Sequence, residues 1–375
     1  MNFFLLSGTQ FFLILFSPQT FLGFSASNPE VEMMIHHLPP PLSIAAVFLV
    51  FASPGASVLE RQALVELYES TDGGNWKNSS GWLTGDPCEN DWFGVTCTSC
   101  NKCTEGARVL SLDLYDNSLR GTIPTEIGNL AFLEGIDLYS NRLTGTIPTE
   151  IGNATALERL DLLLNFLTGT IPTEIGYLTS LERLDADDND LTGTIPTEIG
   201  NMDSLEVLYL HSNVLTGTIP TEIGNVDTLE VFYADYNLQL NGTIPTEIGN
   251  LKALQALRLY WTGLNGTIPT EIGYLTDLVD LRLQRNQLTG SIPTEIANLK
   301  DLVYLYVDYN YLNGNLPTAI FDRSIAEGLL LRAEPQYSLP NPDAGLLSAW
   351  EWVGIAAGVG VSLPFLIASI LACTS

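Results

Sequence analysis

The octapeptide GTIPTEIG occurs seven times without variation, starting at Gly121, Gly145, Gly169, Gly193, Gly217, Gly242 and Gly266, and relaxed copies begin at Gly290 and Gly314. The step is 24 residues throughout except for one of 25, from Gly217 to Gly242. A unit this short cannot bury its own apolar face and must stack on its neighbours, so a regular period of this length dictates a solenoid. Between the octapeptides runs a second pattern, clearest in Leu157-Glu158-Arg159-Leu160-Asp161-Leu162-Leu163-Leu164-Asn165. The alternation at Leu160 and Leu162 suits a short strand with one face inward. Stacked at roughly 4.8 Å per coil, nine such strands give a parallel sheet about 40 Å long.

The ninth position of that segment is Asn117, Asn141, Asn165, Asn189, Asn213, Asn237, Asn286 and Asn310. A buried amide survives only when paired, so this column predicts a hydrogen-bonded ladder. Thr262 interrupts it in the seventh unit, where unmet ladder partners and local irregularity are expected, and the extra residue near Leu238 to Asn241 predicts a bulge just before it. In the octapeptide, Gly serves a tight corner, Ile points inward, and Pro turns the chain where no N–H is needed. Glu126, Glu150, Glu174, Glu198, Glu222, Glu247, Glu271 and Glu295 form a column of like charges. Solvated carboxylates at helix starts account for them better than calcium ligands do. Thr122, Thr146, Thr170 and Thr194 form a further column that is either structural or an ice-ordering face.

The chain carries 43 acidic residues against 15 basic ones, a net charge of −28, which repels phosphate backbones and excludes nucleic acid as a partner. Cys88, Cys97, Cys100 and Cys103 crowd in front of the repeats. Clustering at a solenoid end implies disulfides in an oxidising compartment, with three connectivities open on spacing alone. A metal reading of the CxxCxxC run finds no clustered His to support it, and no cofactor is expected. Sequons at Asn78, Asn153, Asn241 and Asn265 point to glycosylation in the same compartment.

Ahead of the folded part, residues 1–56 read as a leader. Its second apolar stretch, Leu42 to Ala52, ends in small residues suited to signal cleavage, and translation is expected to start at Met33 or Met34. Trp352 to Cys373 runs 22 residues without a charge, enough to cross a bilayer as a helix. With no Lys or Arg behind it, the segment is either a single transmembrane span or the tail of a GPI signal, and either tethers the protein at the plasma membrane.

The pattern LxxLxLxxNxLxGxIPxxIGNL resembles the plant-type leucine-rich repeat over Ser57 to Pro340, and the regularity of GTIPTEIG is similar to leucine-rich repeat proteins of unicellular algae such as diatoms. The resemblance implies an α/β solenoid, a right-handed superhelix with a concave parallel sheet and a second strand set on the convex side. It divides the chain into an N-terminal cap (57–106), nine repeats (107–320), a degenerate cap (321–340), a linker (341–351) and the hydrophobic segment (352–373). It also implies a Cys88–Cys97 disulfide with Trp92 covering the first repeat; Cys100 and Cys103 lie outside the family's cap pattern, and their pairing stays open. A helix over Val58 to Ser70 is expected to set Leu59, Ala63, Leu64 and Leu67 as a lid on the first coil.

Strand positions that do not face the core line the concave side. Their central column reads Asp113, Asp137, Asp161, Asp185, Tyr209, Tyr233, Arg258, Arg282, Tyr306, acidic in units one to four and aromatic with arginines thereafter. Aromatic and Arg side chains carry most interface energy. Tyr209, His211, Tyr233, Tyr236, Arg258, Tyr260, Trp261 and Arg282 are therefore the predicted recognition patch. Beyond the leader His211 is the only histidine, so a nucleophile with an imidazole base has almost no parts, and no catalytic activity is expected. Receptor-like kinases continue into a kinase where this chain stops, so the resemblance implies a receptor-like or adhesion protein at the cell surface, binding a peptide, glycan or protein partner, with a co-receptor as a further candidate. The alternative is a soluble secreted binder, an enzyme inhibitor or an ice-interacting protein.

Overall fold

A computed structural model describes residues 58–98, 106–326 and 328–333. The leader, Cys100, Cys103 and the apolar stretch 352–373 lie outside the described residues. Among the described residues no helix is long and apolar enough to cross a membrane.

Eleven strands form one sheet. Val95–Cys97 opens it, antiparallel to Val109–Asp113, and every later pairing is parallel. We number the coils by their concave strands: coil 1 is Val109–Asp113, coil 2 Gly135–Asp137, coil 3 Arg159–Asp161, coil 4 Arg183–Asp185 and coil 5 Val207–Tyr209. Coil 6 is Val231–Tyr233, coil 7 Ala256–Arg258, coil 8 Asp280–Arg282, coil 9 Tyr304–Tyr306 and coil 10 Leu330–Arg332. Register is fixed by the inward column Leu112, Ile136, Leu160, Leu184, Leu208, Phe232, Leu257, Leu281 and Leu305, none more than 1 % exposed. A slip of one residue would turn all nine to solvent, at roughly 2 kcal/mol each.

The Asn column forms the predicted ladder. Asn189 accepts from the Leu167 N–H at 2.9 Å and donates to the carbonyls of Leu162 and Asp187 at 3.0 and 2.9 Å. Thr262 departs from the expectation. Its hydroxyl bonds the Leu259 carbonyl and Asn286 Oδ1, while the Leu240 N–H that an Asn would have accepted turns to the Asn237 carbonyl at 3.0 Å. No irregularity results: the flanking convex strands Gln239–Thr243 and Gly263–Thr267 are the longest of that set, and the pairing step of 23 residues between Thr216 and Gln239 absorbs the insertion.

The two glycines of the octapeptide do different work. Gly145 sits at φ 75°, and a Cβ there would also lie 2.8 Å from the Thr122 methyl of the preceding coil. Gly152 has ordinary dihedrals, but a Cβ would meet the Glu174 carbonyl oxygen of the next coil at 2.5 Å. The five-residue 3₁₀ helices that begin after each Pro, such as Thr149–Asn153, thus stack with their backbones in near contact. On the convex side the threonines pair across coils, Thr122 beside Thr144 and Thr170 beside Thr192, all four exposed.

At the N-terminal end the helix α1, Val58–Ser70, buries Glu60, Ala63, Leu64 and Leu67. Leu59, expected in that lid, is 49 % exposed. Glu60 takes the inward position instead, and its carboxylate lies 4.0 Å from the Arg108 guanidinium. Trp76, Trp82 and Trp92 close the first coil beneath α1, and Cys88 bonds to Cys97 with Cα atoms 5.6 Å apart. At the other end α2, Thr318–Ala326, precedes the strand of coil 10.

Candidate ligand-recognition face

On the concave sheet the sequence-selected residues fall into two clusters. In the first, Tyr209 and Tyr233 stack with ring centroids 4.9 Å apart, Arg183 lies over Tyr209 at 4.6 Å and Arg258 over Tyr233 at 4.2 Å. In the second, Tyr236 meets Tyr260 and Trp261 edge-on at 5.2 and 5.1 Å. Tyr236 and Trp261 are exposed and the other six are half-buried, so none of the eight belongs to the core. Arg282 lies over Tyr304 and Tyr306 and is tied to the first cluster only through the carboxylate of Asp280, which it shares with Arg258.

Electrostatics modify the sequence picture. Arg258 and Arg282 share the buried Asp280 carboxylate at 2.8 Å each, and Arg183 pairs with Asp185 at 2.6 Å. These guanidiniums are committed to neighbours and work chiefly as flat platforms beside the tyrosines. His211 Nδ1 contacts the Asp187 carboxylate, whose other oxygen accepts the His211 backbone N–H at 2.6 Å. Burial pushes the Asp187 carboxyl up to about 7 despite the imidazole, and raises Asp161, in the acidic half, to about 6 with help from the charge of Asp185. Although burial opposes it, the Asp187 contact holds the His211 imidazole above its ordinary value. Among the described residues no group of three or more His, Cys, Asp or Glu is placed to hold a metal ion.

Asp187, Asp280, Arg183, Arg285 and Tyr309 complete these networks and were not in the sequence-selected set. Their signal was column arithmetic: Asp280 occupies the column flanking Arg258 and Arg282, and Asp187 that of His211. Of the four sequons, Asn153, Asn241 and Asn265 are exposed, while Asn78 is half-buried with its Oδ1 accepting from the Ser80 hydroxyl at 2.8 Å.

Comparison with known proteins agrees with this architecture. The leucine rich repeat N-terminal domain profile matches residues 59–98, and the leucine rich repeat profile matches 108–130, 132–154, 180–202, 204–226 and 277–299. A probable leucine-rich repeat receptor-like protein kinase of Arabidopsis thaliana is 34% identical over 82 residues, 19% of this chain and 8% of that kinase. The solved Arabidopsis receptor kinase HAESA, in complex with the peptide hormone IDA and the co-receptor SERK1, is 33% identical, covering 70% of this chain and 44% of that one, with a TM-score of 0.60. A plant ice-binding protein is 27% identical over 75% of this chain and 98% of its own, with a TM-score of 0.53. The chain thus spans under a tenth of the kinase and under half of the receptor structure. Cap, disulfide, Asn ladder and repeat profile together give the chain the leucine-rich repeat fold, similar to the ectodomains of plant leucine-rich repeat receptors.

Proposed function

We propose that this protein is a non-catalytic, cell-surface recognition module that binds an extracellular peptide, glycan or protein partner on the concave face of coils 5–9. The carrying observation is the Tyr209–Tyr233 stack with its flanking guanidiniums, set outside the core on a rigid sheet. Rings held in place lose little freedom on binding, and aromatic and Arg side chains are the usual anchors. The peptide hormone and co-receptor in the HAESA complex support a partner of the same kind. The apolar stretch 352–373 supplies a membrane tether, and release of the protein from cells by a phosphatidylinositol-specific phospholipase would make that tether a lipid. The exposed sequons Asn153, Asn241 and Asn265 carry glycans outside the concave face.

The test is binding of the full chain to a panel of extracellular peptides, glycans and ectodomains. Tyr209→Ala with Tyr233→Ala should lower affinity for the partner at least tenfold without moving the melting temperature by more than a few degrees. Unchanged affinity for every bound panel member sinks the concave-face reading.

A second reading rests on the convex threonines. Their exposed, evenly repeated pairs, on a chain similar along nearly the whole length of a plant ice-binding protein, fit a surface that orders water on ice. Inhibition of ice recrystallisation by the wild-type chain, abolished by Thr170→Lys with Thr194→Lys, would establish it. No inhibition by the wild type removes it.

A further inference from the structure

Each coil has one residue, just before the ladder position, that the fold holds at positive φ. Coils 1, 2, 4 and 5 fill it with Asp116, Ser140, Asp188 and Ser212, short polar residues of which Asp is at home in that conformation, and coil 3 with Leu164 (φ 58°). Coils 6 to 9 fill it with Tyr236 (φ 55°), Trp261 (φ 52°), Arg285 (φ 60°) and Tyr309 (φ 53°), bulky side chains that are strained there. These four form a continuous rail along one margin of the concave sheet. Tyr236 meets Trp261 at 5.1 Å, and the Arg285 guanidinium lies over Trp261 at 5.1 Å and over Tyr309 at 4.4 Å. All four are exposed.

The residues immediately before three rail positions carry acceptors that find no donor: Asp235 Oδ1, Gln284 Oε1 and Asp308 Oδ1. Asp235 is 3 % and Asp308 8 % exposed, and a buried oxygen without a partner is costly. An exposed ring surface therefore runs beside unpaired acceptor oxygens in coils 6, 8 and 9, while in coil 7 the corresponding residue is Tyr260, whose hydroxyl bonds the Asp235 carboxylate.

The chemistry selects the ligand. An anion meets Asp235, Asp308 and a chain of net charge −28. A cation meets the Arg285 guanidinium inside the rail. An extended peptide returns a side chain to the same face only every ~6.6 Å, out of step with coils about 4.8 Å apart. An extended β-1,4-linked pyranose chain is neutral, advances by close to one coil spacing per sugar, and presents both a C–H face to a ring and hydroxyl donors to the acceptors beneath. Resting on the reading of the concave face as a recognition surface, we propose that the ligand along the Tyr236–Trp261–Arg285–Tyr309 rail is a neutral, β-1,4-linked glycan chain.

The test is titration calorimetry of the full chain with cellohexaose, xylohexaose and mannohexaose, beside the anionic β-1,4-linked hexamer of mannuronic acid and the cationic β-1,4-linked hexamer of glucosamine. At least one neutral hexamer should bind and neither charged one should. Trp261→Ala and Tyr309→Ala should each weaken binding tenfold or more, and Trp261→Phe should restore part of it. Tyr309→Ala, at a ring 54 % exposed and outside the core, keeps the test informative if the Trp261 variant does not fold. Tyr209→Ala with Tyr233→Ala should weaken glycan binding too, but by less than Trp261→Ala and Tyr309→Ala combined. The proposal is overturned if no neutral hexamer binds, if binding survives both rail substitutions, or if the rail residues prove to govern a peptide instead. Peptide or protein binding lost only on Tyr209 and Tyr233 substitution, with no glycan binding, would remove the rail and leave the broader concave-face reading standing.

Discussion

Asp187 and His211 are where single side chains govern stability. The folded Asp187 carboxyl, raised to about 7 by burial, holds its proton far more tightly than an unfolded Asp near 3.9. Between about pH 4 and 7 the native protein therefore binds more protons than the unfolded chain, and stability falls as pH rises through that window. Asp161, raised to about 6, acts in the same sense. So does His211, whose raised value gives stability present below about 6.5 and lost as pH climbs past its folded value. Denaturant unfolding from pH 4 to 8 should show a decline of several kcal/mol. Asp187→Asn, which keeps the acceptor for the His211 N–H, should flatten most of it. A steeper decline in the variant would contradict the assignment. Asn189→Ala leaves the Leu167 N–H and the Leu162 carbonyl short of a partner, and should cost about 2 kcal/mol by the same measurement. The Asn column could be read from the sequence because a buried amide has few other uses. The Asp187–His211 contact was legible only in part: the 24-residue period puts the two in one column on adjacent coils, but does not give how deeply the carboxyl is buried beside the imidazole.

The repeating element is two constraints on one coil: a backbone corner at the first glycine of the octapeptide and a close backbone approach at the last. Gly145→Ala would place a Cβ 2.8 Å from the Thr122 methyl at φ 75°, and should lower stability by more than 1 kcal/mol. Gly135→Ala, on the concave strand with only an ordinary 3.7 Å contact to Ser111, should be nearly neutral and serves as its control. Equal effects in thermal melts would contradict the distinction. The corner glycine was legible in the sequence, whereas the stacking glycine's reason emerged only from the position of the Glu174 carbonyl in the next coil. Leu59 shows a limit of periodicity. A helical wheel put it on the lid, but α1 meets the first coil along the face of Glu60, Ala63 and Leu67, and Leu59 is left to solvent. At Thr262 the sequence correctly marked a substituted ladder position. The expected irregularity failed because the Leu240 N–H had a carbonyl within reach three residues back.

Across the whole molecule, the described coils share one continuous hydrophobic interior from α1 to coil 10, and the columns of the sequence become stripes on opposite faces. Fold and face were legible because a 24-residue period fixes which side chains align. The division of the aromatic half into a neutralised Tyr–Arg stack and a separate edge rail was not, because it depends on which carboxylate each guanidinium finds. The most direct test of the concave-face account is hydrogen–deuterium exchange on the full chain, with and without the members of the extracellular peptide and glycan panel. A bound partner should slow exchange in the strands and following loops of coils 5–9, from Val207 to Tyr309, and leave the convex segments such as Thr168–Thr170 unchanged. Protection confined to the convex threonines, or none with any panel member, would contradict it.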